Sequence, residues 1–158
     1  MIDSQTDSQK IKQILTSAKI IAMIGVSSIK KEKISSTIRK PSIIVMKYLQ
    51  EFGYKVIPVN PFSAGKIIHG ENIVANLEDI NVSVDIVNVF RPSKETPLIA
   101  KQTAKIGAKA LWLQYGIQNQ EAEEIVLSAN ISYVANRCIK QEYQKLFLKM
   151  RPVFPVLQ

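Results

Sequence analysis

The stretch "IIAMIGVSSIKKEKISSTIRKPSIIVMKYL", residues 20–49, decides the fold. It opens with a run from Ile20 to Val26 that has no polar position. Such a run is expected of a strand covered on both faces of a parallel sheet, because a half-exposed strand would alternate. Gly25 lies at its end, where a residue without a Cβ lets a phosphate or another backbone come close. Pro41 can open a helix, since its fixed φ and missing N–H suit the first helical position. Ile43, Ile44, Met46, Tyr48 and Leu49 supply the apolar positions of that helix, and Gly53 its stop. Strand, glycine turn and helix are the first parts of a nucleotide-binding unit. The turn departs from the dinucleotide fingerprint, however, because only the first of its three glycines is present. A loop rich in serine and lysine replaces the others, and it exceeds the usual connection of about 2–6 residues.

Outward from this unit the pattern keeps alternating. "KVIPVN" (Lys55 to Asn60) reads as a second strand whose Pro58 suits an end or an irregular step. "GENIVANLEDI" carries a short strand around Ile73–Val74 and one helical turn near Leu77. Strands follow over Val84 to Phe90, Ala108 to Gln114 and Ile131 to Ala135. Helices are expected from Ser93 or Thr96 to Ile106, from Asn119 to Ala129, and over "IKQEYQKLFLKM". The tail "RPVFPVLQ" cannot prolong the last one, because Pro152 and Pro155 break helical hydrogen bonding. About five strands alternating with about five helices predict an α/β fold, a doubly wound, mostly parallel, Rossmann-like sheet with helices on both faces. One domain is expected over residues 1–158, with a core of about 14–148 between a polar lead-in and a proline-containing tail.

Composition bounds the chemistry. With 158 residues, 46% of them hydrophobic, the chain can build one proper core. A single cysteine excludes an internal disulfide and a four-thiol zinc site. "MIDSQTDSQK" lacks the apolar segment of a signal peptide, and no apolar run spans a bilayer, so a cytoplasmic setting without membrane contact is expected. The net charge of +8 favours an anionic partner without choosing one. Lys30, Lys31, Lys33, Arg39 and Lys40 cluster in the first loop; Lys140, Lys145, Lys149 and Arg151 form a second group, best read as a solvated face.

Ligands of open parallel sheets lie beyond the strand C-terminal ends. Those exits read Gly25-Val26-Ser27-Ser28, Asn60-Pro61, Phe90-Arg91, Gln114-Tyr115-Gly116 and Asn136-Arg137-Cys138. Ser27, Ser28 and Ser42 can donate hydroxyl hydrogens to phosphate oxygens, and free N–H groups at the helix start near Ser42 attract anions. Lys33, Arg39 and Lys40 supply countercharge, and Phe90 an apolar or stacking surface beside Arg91. An NAD dehydrogenase is disfavoured, because the second strand ends in Asn60 rather than the acid that takes a ribose hydroxyl. Catalytic groups are scarce. His69 stands in a loop with no acid or cysteine at ligand spacing, no metal site is predicted, and Trp112 sits in an apolar strand. Cys138 reads as a small buried residue, although Arg137 beside it would favour the thiolate.

The stretches "IAMIGVSS", "KPSIIVMKYLQEFGYKVIPVNP", "VDIVNVFRPS", "IGAKALWLQYGIQN" and "ANRCIK" together resemble the small stand-alone CoA-binding proteins. Those are similar to the CoA-binding Rossmann domain of the succinyl-CoA synthetase alpha subunit. The resemblance spans roughly Ile14 to Lys140. It implies coenzyme A at the C-terminal edge of the sheet. The glycine-x-serine turn is then Gly25, Val26 and Ser27, followed by Lys40 and Ser42 before the first helix. Asn60 and Pro61, Phe90 and Arg91, Gln114, and Asn136, Arg137 and Cys138 match the remaining signatures, with Ser28 and Gly116 beside them. The first loop is several residues longer than usual, so Lys33, Arg39 and Lys40 compete for the phosphate. The synthetase's phosphohistidine and nucleotide-chemistry domains have no counterpart here, so acyl-CoA synthesis by this chain alone is not expected.

The expected function is binding of coenzyme A or an acyl-CoA in a non-catalytic or accessory role. The alternatives are an NAD(P)-binding protein and a CoA-redox protein using Cys138. Nucleic acid is disfavoured as a partner, since 7% aromatic content provides few stacking platforms. The expected partner is a small molecule.

Overall fold

The structure, a computed structural model, describes residues 4–26 and 41–148. It opens with α1 (Ser4–Ser17) and β1 (Ile20–Ile24), then α2 (Pro41–Glu51) and β2 (Lys55–Val59). A small antiparallel pair, β3 (Ile67–Ile68) and β4 (Glu71–Asn72), and a 3-10 turn at Leu77–Asp79 precede β5 (Ile86–Val89). The remainder is α3 (Thr96–Ile106), β6 (Ala110–Leu113), α4 (Gln120–Ser128), β7 (Ser132–Val134) and α5 (Ile139–Tyr143), which continues as a π-helical turn over Gln144–Leu148.

The five long strands form one sheet in the order β2-β1-β5-β6-β7, and every pairing is parallel. The chain winds outward from β1 to β2, then reverses to β5 and continues the other way. The α/β doubly wound expectation therefore holds, and the switch point lies between β1 and β5. Alternation along the strands divides the core in two. On one face Ile21, Met23, Ile86 and Trp112 pack with Ile11 and Leu15 of α1, Met46 and Leu49 of α2 and Ile139 of α5. On the other, Ala22, Val87, Leu111 and Leu113 pack with Ile99 of α3 and Val126 of α4. Each large side chain buried in this way contributes ~1.5–3 kcal/mol.

Three expectations are corrected. The polar lead-in is helical, because Ile11 and Leu15, four residues apart, bury one face of α1; the core thus begins before residue 14. The strand expected around Ile73–Val74 is a single parallel bridge between Val74 and Val59, and the Val74 N–H donates to the Pro58 carbonyl (3.0 Å). Pro58 is tolerated inside β2 because β2 is an edge strand. The closing helix leaves α geometry after Tyr143.

Candidate functional site

Because all five strands run in parallel, their exits line one edge of the sheet. The β1 and β5 exits meet there. Gly25 adopts φ +103°, and a Cβ at that position would lie 2.6 Å from the Phe90 carbonyl oxygen. Both the left-handed backbone and the missing space require glycine. The Gly25 N–H donates to the Val59 carbonyl (3.2 Å), and the Phe90 N–H to the Ile24 carbonyl (2.8 Å). Gly25 therefore admits the neighbouring strand's backbone, the second of its two anticipated uses. Val26 is fully buried, so its side chain anchors the turn.

Ser27, Ser28, Lys33, Arg39 and Lys40 lie outside the described residues. Ser42 is the second residue of α2 and is buried. Pro41 carries no N–H, so the Ser42 and Ile43 amides are the first donors at this helix start, the positive end of its dipole.

Several exit residues are tied to the scaffold. The Asn60 amide nitrogen donates to the Val26 carbonyl (2.9 Å), while its side-chain oxygen accepts the Phe62 N–H (2.8 Å). It joins the β1 and β2 exits and shapes the turn at Pro61, which is exposed. Asn136, at φ +60°, accepts the Gly116 N–H on its side-chain oxygen (2.7 Å) and joins the β6 and β7 exits. Gly116 itself has φ +87°. Buried Gln114 accepts the Ile139 N–H (3.1 Å) and so orders the start of α5. Phe90 is half-buried against the layer containing Met23 and Trp112.

The two arginines are paired. Arg91 donates from Nε and Nη2 to the two carboxylate oxygens of Glu95, both at 2.9 Å. The hydrogen bond from Arg91 holds the Glu95 carboxyl below its usual range, and the same bond raises the Arg91 guanidinium. Arg137 contacts Asp7 of α1 at 3.3 Å and Glu142 of α5 at 3.5 Å. Its carbonyl accepts the Trp112 indole N–H at 2.8 Å. Cys138 is a free, half-buried thiol immediately before α5.

The acids beside these arginines were not singled out in the sequence. Glu95 was legible as an i,i+4 partner of Arg91. Asp7 was not, because 130 residues separate it from Arg137. His69 lies within 3.3 Å of the Ile43 carbonyl through Nε2, as a hydrogen-bonded loop histidine. Among the described residues no three His, Cys, Asp or Glu side chains cluster for a metal, and no helix is long and apolar enough to cross a membrane.

This fold is shared with known proteins. The family described as CoA binding domain matches residues 19–144. The chain belongs to that family. Its relatives include proteins of similar length. The Bacillus subtilis protein YneT is 34% identical over 131 residues, covering 83% of this chain and 90% of that one. A Thermus thermophilus structure superposes with TM-score 0.80 at 35% identity, covering 89% of this chain and 98% of its own. The dinucleotide-forming acetyl-coenzyme A synthetase of Ca. Korarchaeum cryptofilum shares the fold at TM-score 0.61 and 21% identity. There the match covers 78% of this chain but 27% of the synthetase, a small portion of a larger machine.

Proposed function

We propose that this CoA binding domain holds coenzyme A or an acyl-CoA at the C-terminal edge of its sheet, as an accessory rather than a catalyst. The family match over residues 19–144 is the observation that carries this reading. The geometry supports it in two ways. The α2 start carries amide donors at the positive end of its dipole, which suits a diphosphate. Phe90 offers a half-buried apolar face at the switch point. Gly25, Val26, Ser27 and Ser42 then form the turn and helix start around the phosphates, with Ser28 beside them. Countercharge comes from Lys33, Arg39 or Lys40. Asn60, Pro61, Gln114, Gly116 and Asn136 shape the rim, while Arg91, Arg137 and Cys138 border it.

An accessory role fits the polar groups that are described. Glu95, Asp7 and Glu142 are held in ion pairs, and His69 is turned to a backbone carbonyl. The charge of Arg137 beside Cys138 is already met by two carboxylates, which weakens the argument for a redox thiol.

Calorimetric titration of Lys40→Glu and Arg91→Ala tests the phosphate roles. Removing one charge-assisted hydrogen bond should lower CoA affinity about tenfold, given ~1.5–3 kcal/mol before solvent screening. Circular dichroism should remain that of the folded protein. Unchanged affinity in both variants contradicts this arrangement.

A further inference from the structure

Asn88 occupies the middle of β5, itself the central strand, and has no solvent exposure. Neither its amide nitrogen nor its amide oxygen has a hydrogen-bond partner among the protein's own described residues. Its register neighbours offer none: Met23 is apolar, and the Trp112 indole N–H is taken by the Arg137 carbonyl. Buried polar groups are almost always paired, because an unpaired one leaves its desolvation uncompensated. A leucine of similar size would remove that penalty at once. An amide in this place is therefore expected to have a partner that arrives with something else.

Its position says where from. Residues 86, 88 and 90 share one face of the sheet, so Asn88 lies directly inward of Phe90, about 7 Å along the strand. Phe90 is half-buried and packs on the layer that holds Met23 and Trp112, and its backbone touches Gly25. Asn88 is thus the first polar side chain beneath the switch-point floor on this face of β5.

We propose that Asn88 is a ligand-recognition residue of the CoA site, its carboxamide pairing with a neighbouring donor and acceptor on the bound molecule once the Phe90 side chain swings aside. This rests on the CoA reading given above. An asparagine amide presents one donor and one acceptor side by side, which the N6/N7 edge of adenine complements, whereas a trans secondary amide, as in the pantetheine arm, offers the two on opposite sides. Coenzyme A carries the matching edge in its base.

Asn88→Leu and Asn88→Val separate this role from a mere packing defect. Thermal melting and calorimetry of the ligand-free and CoA-loaded proteins provide the two readouts. The leucine variant should melt higher than wild type without ligand, yet bind CoA about tenfold more weakly. Titrations with pantetheine and with adenosine 3′,5′-bisphosphate then assign the contact to the arm or to the base. A leucine variant that binds CoA within about twofold of wild type overturns the proposal, whatever its melting temperature. Should wild type itself bind no CoA, the site reading fails first, and the wild-type titration alone reveals it.

Discussion

Gly25 is the residue on which the edge turns. A side chain there must adopt φ +103° and meet the Phe90 carbonyl oxygen at 2.6 Å. The backbone strain costs of order 1–3 kcal/mol, and the collision adds to it. Gly25→Ala should therefore lower the melting temperature by ~5 °C or more for a chain of this size. A melting curve superimposable on wild type would show that the two exits part without penalty. Arg91 and Glu95 make a second prediction at this scale. Their exposed i,i+4 pair adds little stability, about 0.3–0.5 kcal/mol. The carboxylate nevertheless occupies the side of the guanidinium best shaped for a phosphate. Glu95→Gln should leave the melting temperature nearly unchanged and tighten CoA binding by about twofold to fivefold at low salt. Weaker binding by this variant would mean that Glu95 positions Arg91 rather than competing for it.

Among the elements, α1 joins the core to Arg137 at the β7 exit. It buries Ile11 and Leu15, and its last turn accepts the Tyr54 hydroxyl on the Leu15 carbonyl at 2.6 Å. Arg137, just after β7, binds its Asp7 at 3.3 Å. Burial pushes the Tyr54 phenol up to about 12. The folded state thus prefers the neutral phenol, and the stability this confers is full below the unfolded phenol's pKa, near 10. It is lost as pH rises from there through about 12. Denaturant titrations should show wild type losing stability across that window. Tyr54→Phe should be about 1 kcal/mol less stable at neutral pH and lose less of it on alkalinisation. An identical alkaline slope in both proteins would remove Tyr54 from the account. The helix was hidden in the sequence, since its buried positions are few and sit among glutamines, serines and lysines. The continuous apolar strands were legible, because a parallel sheet buried on both faces admits almost nothing else.

For the whole molecule, the order of strands and helices was readable from "IIAMIGVSS" outward, and with it the edge where the parallel strands end. What each exit residue does was less legible. Asn60, Gln114 and Asn136 were expected as ligand contacts; the bonds their side chains make to backbone groups between 20 and 34 residues away were not foreseen. Such long-range bonds leave no local pattern. The opposite holds for Asn88, which hides in an apolar strand and declares itself only by lacking partners. The CoA binding domain family supplies the ligand class, and the positive charge of the chain agrees with a molecule richer in phosphate than NAD. The decisive measurement is calorimetric titration of the purified protein with CoA, acetyl-CoA, NAD and NADP side by side. Saturable binding of CoA at about micromolar affinity, well ahead of NAD, is predicted. Heat from NAD with none from CoA would contradict it.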